Sequence, residues 1–133
     1  MISYILTMEE LKYMCGILNV QVLPLHMISG GEISESEYGQ ARHSLEEKGF
    51  IELTNGDLTV NSVIEFIFQV MNASKRIFVG NGDAKFTAYI GKCAVLLINS
   101  FGKLALLPFE TEMDLVNYLR EHDLSEWTDI RLE

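Results

Sequence analysis

The residues best suited to chemistry in this chain are its histidines and cysteines, and their spacing limits what they could do. His26, His43 and His122 lie on three separate segments, and none has a second histidine or a cysteine at the spacing of zinc ligands. Cys15 and Cys93 are far apart in apolar stretches, which is typical of reduced core cysteines. This pattern predicts no metal site and no other cofactor.

Neighbouring carboxylates are the second group that could do chemistry, as a general acid and base. Three pairs occur in predicted first or last helical turns: Glu9 with Glu10, Glu35 with Glu37, and Glu46 with Glu47. Capping and solvation account for acids at helix ends, and no apolar pocket is evident that would separate the two pKa values of a pair. Ser34 and Ser100 have no histidine and acid in the context of an activated nucleophile. The sequence therefore predicts that the protein is not an enzyme.

The distribution of charge restricts the partners of the chain. The 133 residues carry a formal net charge of −9, with ten acids and three bases in residues 1–74 and nine acids and seven bases in residues 75–133. Phosphate backbones are bound by clustered lysines and arginines, and no such cluster is present. We therefore expect no nucleic-acid binding.

The N-terminal residues bear on where the protein resides. The stretch Met1–Leu6 has no basic flank and runs directly into Glu9, and the longest aliphatic run is Ala94–Ile98. Neither stretch has the length or the flanks of a signal peptide or a membrane span. We expect no membrane segment and a cytoplasmic protein.

Capping residues mark the helices that must position any site. Thr7 with Glu10, and Ser34 with Glu37, form the pattern of a capping box. The predicted helices run from Met8 to about Asn19, from Ser34 to Lys48 with a break at Pro24 and Gly30 before it, from about Val63 to Asn72, and from Thr111 onwards. The third helix is apolar nearly all round, and we expect it to be the central buried helix.

Turn residues mark the strands. Asn55-Gly56 between two short apolar stretches predicts a tight β-hairpin. Four further strands are predicted at Arg76–Val79, Lys85–Ile90, Cys93–Asn99 and Lys103–Pro108, with a possible edge strand in Trp127–Glu133. Their short connections predict an antiparallel meander.

Together these elements predict one α+β domain over residues 1–133. Residues 1–74 form its helical, winged-helix-like part, and residues 75–133 form a four-stranded antiparallel meander closed by a C-terminal helix. Helix, helix and hairpin follow one another as in a winged helix-turn-helix, whose second helix would read DNA. That helix and the hairpin carry mainly acids, so we favour a scaffold for protein contact and keep a transcription-related winged-helix protein with DNA or regulator binding as the alternative.

Several segments in order resemble a known family over about residues 4–127. They are Leu6–Leu11 opening a helix, Leu23-Pro24 after it, Leu45–Ile51 closing the next helix, and Gly56–Asn61 leading into an apolar helix and a strand meander. This order resembles one half of the EspG-type chaperones of type VII secretion, and also the short acidic proteins that accompany type VII systems in Gram-positive bacteria. The resemblance implies a cytosolic, non-catalytic chaperone or adaptor that binds a helical secretion substrate. The EspG-type family has two similar α+β halves, and this chain supplies only one.

The predicted sheet gives a separate reason to expect a partner. Ala94–Ile98 and Leu104–Leu107 are apolar on both alternating faces, so both faces must be covered. Either the chain's own helices lie on both faces, or one face is an interface, for which a homodimer is the expectation.

One sheet face is the predicted partner-binding site. If Phe86, Ala88 and Ile90 point towards the helices, alternation places their neighbours on the opposite face. The basic and aromatic residues expected to converge there are Arg76, Phe78, Lys85, Tyr89 and Lys103.

Overall fold

The structure of the chain, a computed structural model, describes residues 3–20, 34–81, 86–100 and 103–131. The helices are α1 (Met8–Leu18), α2 (Glu35–Glu47), α3 (Ser62–Asn72) and α4 (Glu112–Glu121). The strands are β1 (Tyr4–Thr7), β2 (Ile51–Thr54), β3 (Asp57–Val60), β4 (Arg76–Gly80), β5 (Phe86–Ile90), β6 (Ala94–Ser100), β7 (Lys103–Phe109) and β8 (Trp127–Arg131).

Six of the strands form one antiparallel sheet in the order β1-β7-β6-β5-β4-β8, and β2 and β3 form a separate hairpin. The sheet confirms the predicted four-stranded meander, which is β4 to β7, and the predicted edge strand, which is β8. Strand β1 was not predicted, and it pairs with β7 at the other edge, from Tyr4 opposite Leu106 to Thr7 opposite Lys103. The fold is α+β, as predicted.

Helices of the chain lie on both faces of the sheet. Alternate strand residues, including Ile77, Tyr89 and Leu97, pack into one core with buried residues of α1, α2 and α3. The intervening residues, including Phe78 and Leu96, pack into a second core with buried residues of α4. This explains why the central strands are apolar on both faces. The faces of the sheet therefore give no reason to invoke a second copy of the chain, and self-association stays a prediction.

Side-chain capping and tight turns define the ends of the helices and of the hairpin strands, as the sequence predicted. Both capping boxes form, around Thr7 and Ser34. The hairpin turn places Asn55 and Gly56 at positive φ, which suits a tight turn. After α2, Gly49 also has positive φ, and the Phe50 N–H donates to the Leu45 carbonyl at 3.0 Å, as in a Schellman ending.

Helix α3 is less buried than its composition suggested. Ile64, Ile67, Phe68 and Met71 are buried at the helical spacing of one stripe. On another side of the helix, Val63 is 46% exposed and Phe66 is 53% exposed. The expectation of a central helix buried all round is therefore wrong, because the sheet and α1 cover only one side of α3.

Some expectations fall on residues outside the described ranges. They concern His26, the Pro24 and Gly30 break before α2, and Lys85 of the predicted site.

Candidate protein-binding surface

The residues predicted to form a binding face do not lie together. In the sheet register, Phe78 lies opposite Ala88, whereas Tyr89 lies opposite Ile77. Directly opposed residues point to the same face, so Arg76 and Phe78 are on the α4 side and Tyr89 is on the side of the other helices. The expectation that these three share one face is wrong, because it placed Phe78 on the wrong side of β4.

Arg76 is partly exposed, but its guanidinium is already paired within the chain. Its Nη2 donates to Asp129 Oδ2 at 2.8 Å, and its Nη1 donates to Glu112 Oε1 at 2.9 Å. Its guanidinium carbon also lies 5.3 Å from the centre of the Phe78 ring. The guanidinium thus ties β4 to β8 and to the first turn of α4. Its hydrogen bonds hold the pKa of Asp129 below the ordinary value.

The other predicted residues are equally unlike a binding patch. Phe78 is 2% exposed and stacks on Trp127, with ring centres 5.4 Å apart. Tyr89 is 1% exposed, and burial raises the pKa of its hydroxyl. Lys103 is exposed at the start of β7, and two strands separate β7 from β4. Phe78 and Tyr89 thus lie in two different cores, Arg76 is partly exposed and paired with Glu112 and Asp129, and Lys103 is a separate surface position.

A cleft of about 340 Å³ between the first turn of α1 and α2 gathers carboxylates. Glu10 is 1% exposed, and its Oε1 accepts from the Thr7 N–H at 2.8 Å and from Lys48 Nζ at 2.6 Å. Lys48 Nζ also donates to the Ile5 carbonyl at 3.1 Å. Burial alone would raise the pKa of Glu10, but hydrogen bonds from Lys48 and Thr7 lower it overall. This ion pair between a buried carboxylate and a partly exposed lysine is a structural joint between α1, the end of α2 and β1.

A second, shallow groove of about 380 Å³ lies beside α4. The residues that line it are Pro108, Phe109, Glu110, Asp114, Asn117, Tyr118 and Glu121. Its carboxylates are spread along the helix and the preceding turn. Within the ranges that the structure describes, no group of three or more histidine, cysteine or acidic residues could hold a metal ion.

Two exposed apolar residues of α3 and one partly buried residue form a stripe of their own. Val63, Phe66 and Val70 follow one another at i, i+3 and i+7, so they line one side of the helix over about 10 Å. Val70 is partly buried against the core, while Val63 and Phe66 protrude into solvent. A phenylalanine that is more than half exposed beside a second apolar side chain is typical of a contact surface.

The hairpin has exposed apolar residues of its own. Ile51 lies opposite Val60 and Leu53 opposite Leu58, so these four side chains share one face of the ribbon. Ile51 and Val60 pack against the core at the base of the hairpin, whereas Leu53 and Leu58 lie beyond it and are exposed. The apolar face of the hairpin therefore continues past the core instead of ending with it.

The hairpin and α3 follow one another directly in the chain. Val60 ends β3, and only three peptide units separate it from Val63, a span of at most about 11 Å. We name Leu53, Leu58, Val63, Phe66 and Val70 the α3–hairpin surface. The α3 part of this surface has a signal in the sequence, since α3 is apolar nearly all round, but the same pattern also predicts a buried helix.

Comparison with known proteins adds no family. No protein-family model and no curated protein matches this sequence. No helix in the described part of the chain is both long enough and apolar enough to cross a membrane.

Proposed function

We propose that this protein is a non-catalytic, cytosolic adaptor or chaperone that binds another protein through the α3–hairpin surface. The observation that carries the proposal is the exposure of Phe66 and Val63 on a helix whose other apolar side is fully packed. Removing such residues from water is the main source of free energy in protein association. Aromatic side chains are also enriched among the residues that dominate binding.

The structural setting favours binding over folding as the role of these residues. The core contains Ile64, Ile67 and Phe68 from the same helix, whereas Phe66 is not part of it. The paired leucines of the hairpin likewise lie beyond the packed pair at its base. An apolar surface of this kind on an otherwise acidic chain favours a partner protein.

The resemblance of the sequence to EspG-type chaperones supplies the partner class of the proposal. In that proposal the partner is a helical substrate of type VII secretion, and the winged-helix-like part predicted over residues 1–74 acts as a scaffold for it. The scaffold role is consistent with the order α1, α2, β2, β3 and α3.

The alternative is a winged-helix protein that binds DNA or a regulator. Its DNA-binding form is less well supported. Residues 49–74, which include the hairpin and α3, contain no lysine, arginine or histidine. A phosphate backbone would meet only carboxylates there. A gel shift at about 0.15 M salt separates the two proposals, because an affinity tighter than the micromolar range of non-specific binders would support DNA binding instead.

Affinity capture from the native host tests the proposed function. We expect the wild-type chain to retain a specific partner and Phe66→Ser to lose it. The matched control is Met113→Ser, because Met113 is 64% exposed on α4 and its substitution removes a similar amount of exposed apolar surface elsewhere. Equal capture by the wild type and both variants would refute the proposal, provided that circular dichroism shows all three to be folded.

A further inference from the structure

The two edge strands of the sheet differ in how their backbone groups are partnered. At β1, the Ile5 carbonyl accepts from Lys48 Nζ at 3.1 Å, and the Thr7 N–H donates to Glu10 Oε1 at 2.8 Å. Side chains of α1 and of the end of α2 thus occupy backbone groups of this edge, and charged side chains are one means by which proteins protect an edge from pairing. The other edge strand is β8.

The register shows which backbone groups of β8 point outwards. The Asn81 N–H donates to the Glu126 carbonyl at 3.0 Å, one residue before β8 begins. Hydrogen-bonded pairs alternate with non-bonded pairs along an antiparallel ladder, so Trp127, Asp129 and Arg131 turn their N–H and C=O groups away from β4. In the described part of the chain, no strand pairs with β8 on that side. The edge is therefore a template for a further strand.

Strand β8 carries charges of both signs and no residue that protects an edge. Its residues Trp127–Arg131 include no lysine or proline, and its ionisable side chains, Asp129 and Arg131, are exposed. Both lie on the α4 face, since they stand opposite Phe78 and Arg76. Asp129 already accepts from Arg76, whereas Arg131 makes no salt bridge to another described residue.

The charged residues around this edge balance one another. Three bases and three acids of the described chain lie on β4 or β8, lie directly before these strands or bind to them: Lys75, Arg76, Arg131, Glu112, Glu126 and Asp129. The net charge of −9 of the whole chain therefore arises mainly elsewhere, and it does not make this edge repel a second copy.

We propose that two copies of the chain associate through β8, antiparallel about a two-fold axis, so that their sheets form one continuous sheet. In this register Ile130 lies opposite Ile130 of the second copy, and Asp129 lies opposite Arg131 in both directions. The outward N–H and C=O groups of Asp129 and Arg131 form the hydrogen-bonded pairs. A shift by two residues would instead oppose Asp129 to Asp129, which like charges disfavour.

The inference is independent of the proposed function, because the α3–hairpin surface contains no residue of β8. The paired strands are short, so we expect a weak dimer with a dissociation constant on the order of 100 μM. The paired charges are exposed, so added salt should weaken the dimer further.

Analytical ultracentrifugation of the full chain from about 10 μM to about 1 mM tests the inference. We expect the wild type to pass from monomer to dimer in this range. Arg131→Asp should weaken the dimer about tenfold, because it opposes Asp129 with a second carboxylate in both directions. The matched control is Lys103→Asp, which changes the net charge equally at an exposed position three strands away from β8 and should dimerise like the wild type.

An exchange of charges tests the register itself. Arg131→Asp and Asp129→Arg should each associate poorly alone, but their equimolar mixture should form a heterodimer, because every carboxylate then opposes a guanidinium. If Asp129→Arg is unfolded without its Arg76 contact, Arg131→Pro replaces it. That proline removes one outward N–H, leaves the hydrogen bonds to β4 in place and should also abolish the dimer.

Three results would overturn the inference. A wild-type chain that is monomeric up to about 1 mM would exclude the dimer. Equal dimerisation of the wild type, Arg131→Asp and Arg131→Pro would remove β8 from the interface. A dimer that Phe66→Ser dissociates and Arg131→Asp does not would place the second copy on the α3–hairpin surface.

Discussion

Two regions of this molecule contain the residue types that usually mark a binding site, and they use them differently. At the corner of β4, β8 and α4, Arg76, Phe78 and Trp127 contact one another or nearby acids within the fold. At the α3–hairpin surface, Phe66 and Val63 remain in solvent. Arginine and aromatic residues therefore indicate a binding site only where their side chains are not already packed or paired with other residues of the same chain.

The first prediction concerns protein stability, for which we expect the largest difference between the β4–β8–α4 corner and the α3–hairpin surface. Phe78→Ala should lower the free energy of unfolding by about 3–5 kcal/mol, because it leaves a cavity beside Trp127 in a closed core. Phe66→Ala should change it by less than about 0.5 kcal/mol, because its side chain is mainly in water. Urea unfolding measures both, and similar losses would contradict the contrast between the corner and the surface.

The second prediction concerns the Glu10–Lys48 joint between α1, α2 and β1. Lys48→Met should cost about 2 kcal/mol, because it leaves the buried Glu10 carboxylate without its cation. The cost is below that of a fully buried pair, since Lys48 is one-third exposed. Adding Glu10→Gln should recover part of the loss, and a double variant no more stable than the single one would argue against the ion pair as the cause.

The pH dependence of this joint has a definite sign. The folded protein holds the pKa of Glu10 below its ordinary value, so the ion pair contributes fully above the ordinary glutamate range. Its contribution is lost as the pH falls through the lowered pKa. The stability difference between wild type and Lys48→Met should therefore shrink in acid.

The third prediction concerns the Arg76 ion pairs, which we expect to contribute less to stability than the Glu10–Lys48 pair. Arg76→Met should cost about 1 kcal/mol at low salt and less at high salt, because Arg76, Glu112 and Asp129 are all partly exposed. The pKa of Asp129 is lowered, so the contribution is present above the ordinary aspartate range and lost as the pH falls through the lowered value. Salt and pH series of urea unfolding check this, and a loss independent of both would point to packing of the arginine stem.

The sequence predicted the helix starts and the hairpin turn, because these features depend on residues that are close together in the chain. The capping boxes at Thr7 and Ser34 and the turn at Asn55-Gly56 depend on residues within four positions of one another, and all of them form. Strand β1 was missed because its four residues become a strand only by pairing with β7, about 100 positions away.

The candidate site was harder to predict for the same reason. The partner of Arg76, Asp129, lies 53 positions away on β8, so its engagement is invisible in sequence. Helix α3 has apolar residues on two sides, so its sequence does not indicate which side is packed. Packing against the sheet buries Phe68 and leaves Phe66 exposed.

The central claim is that the protein binds its partner through the α3–hairpin surface. Photo-cross-linking in the native host tests it most directly, with a photoreactive amino acid incorporated into the protein. One chain carries it at position 66 on the α3–hairpin surface, and the other at position 103, the exposed residue of the sheet face first predicted to bind. Our account predicts a discrete adduct with a partner protein from position 66 and none from position 103. An adduct from position 103 alone would contradict it and return the binding site to the sheet.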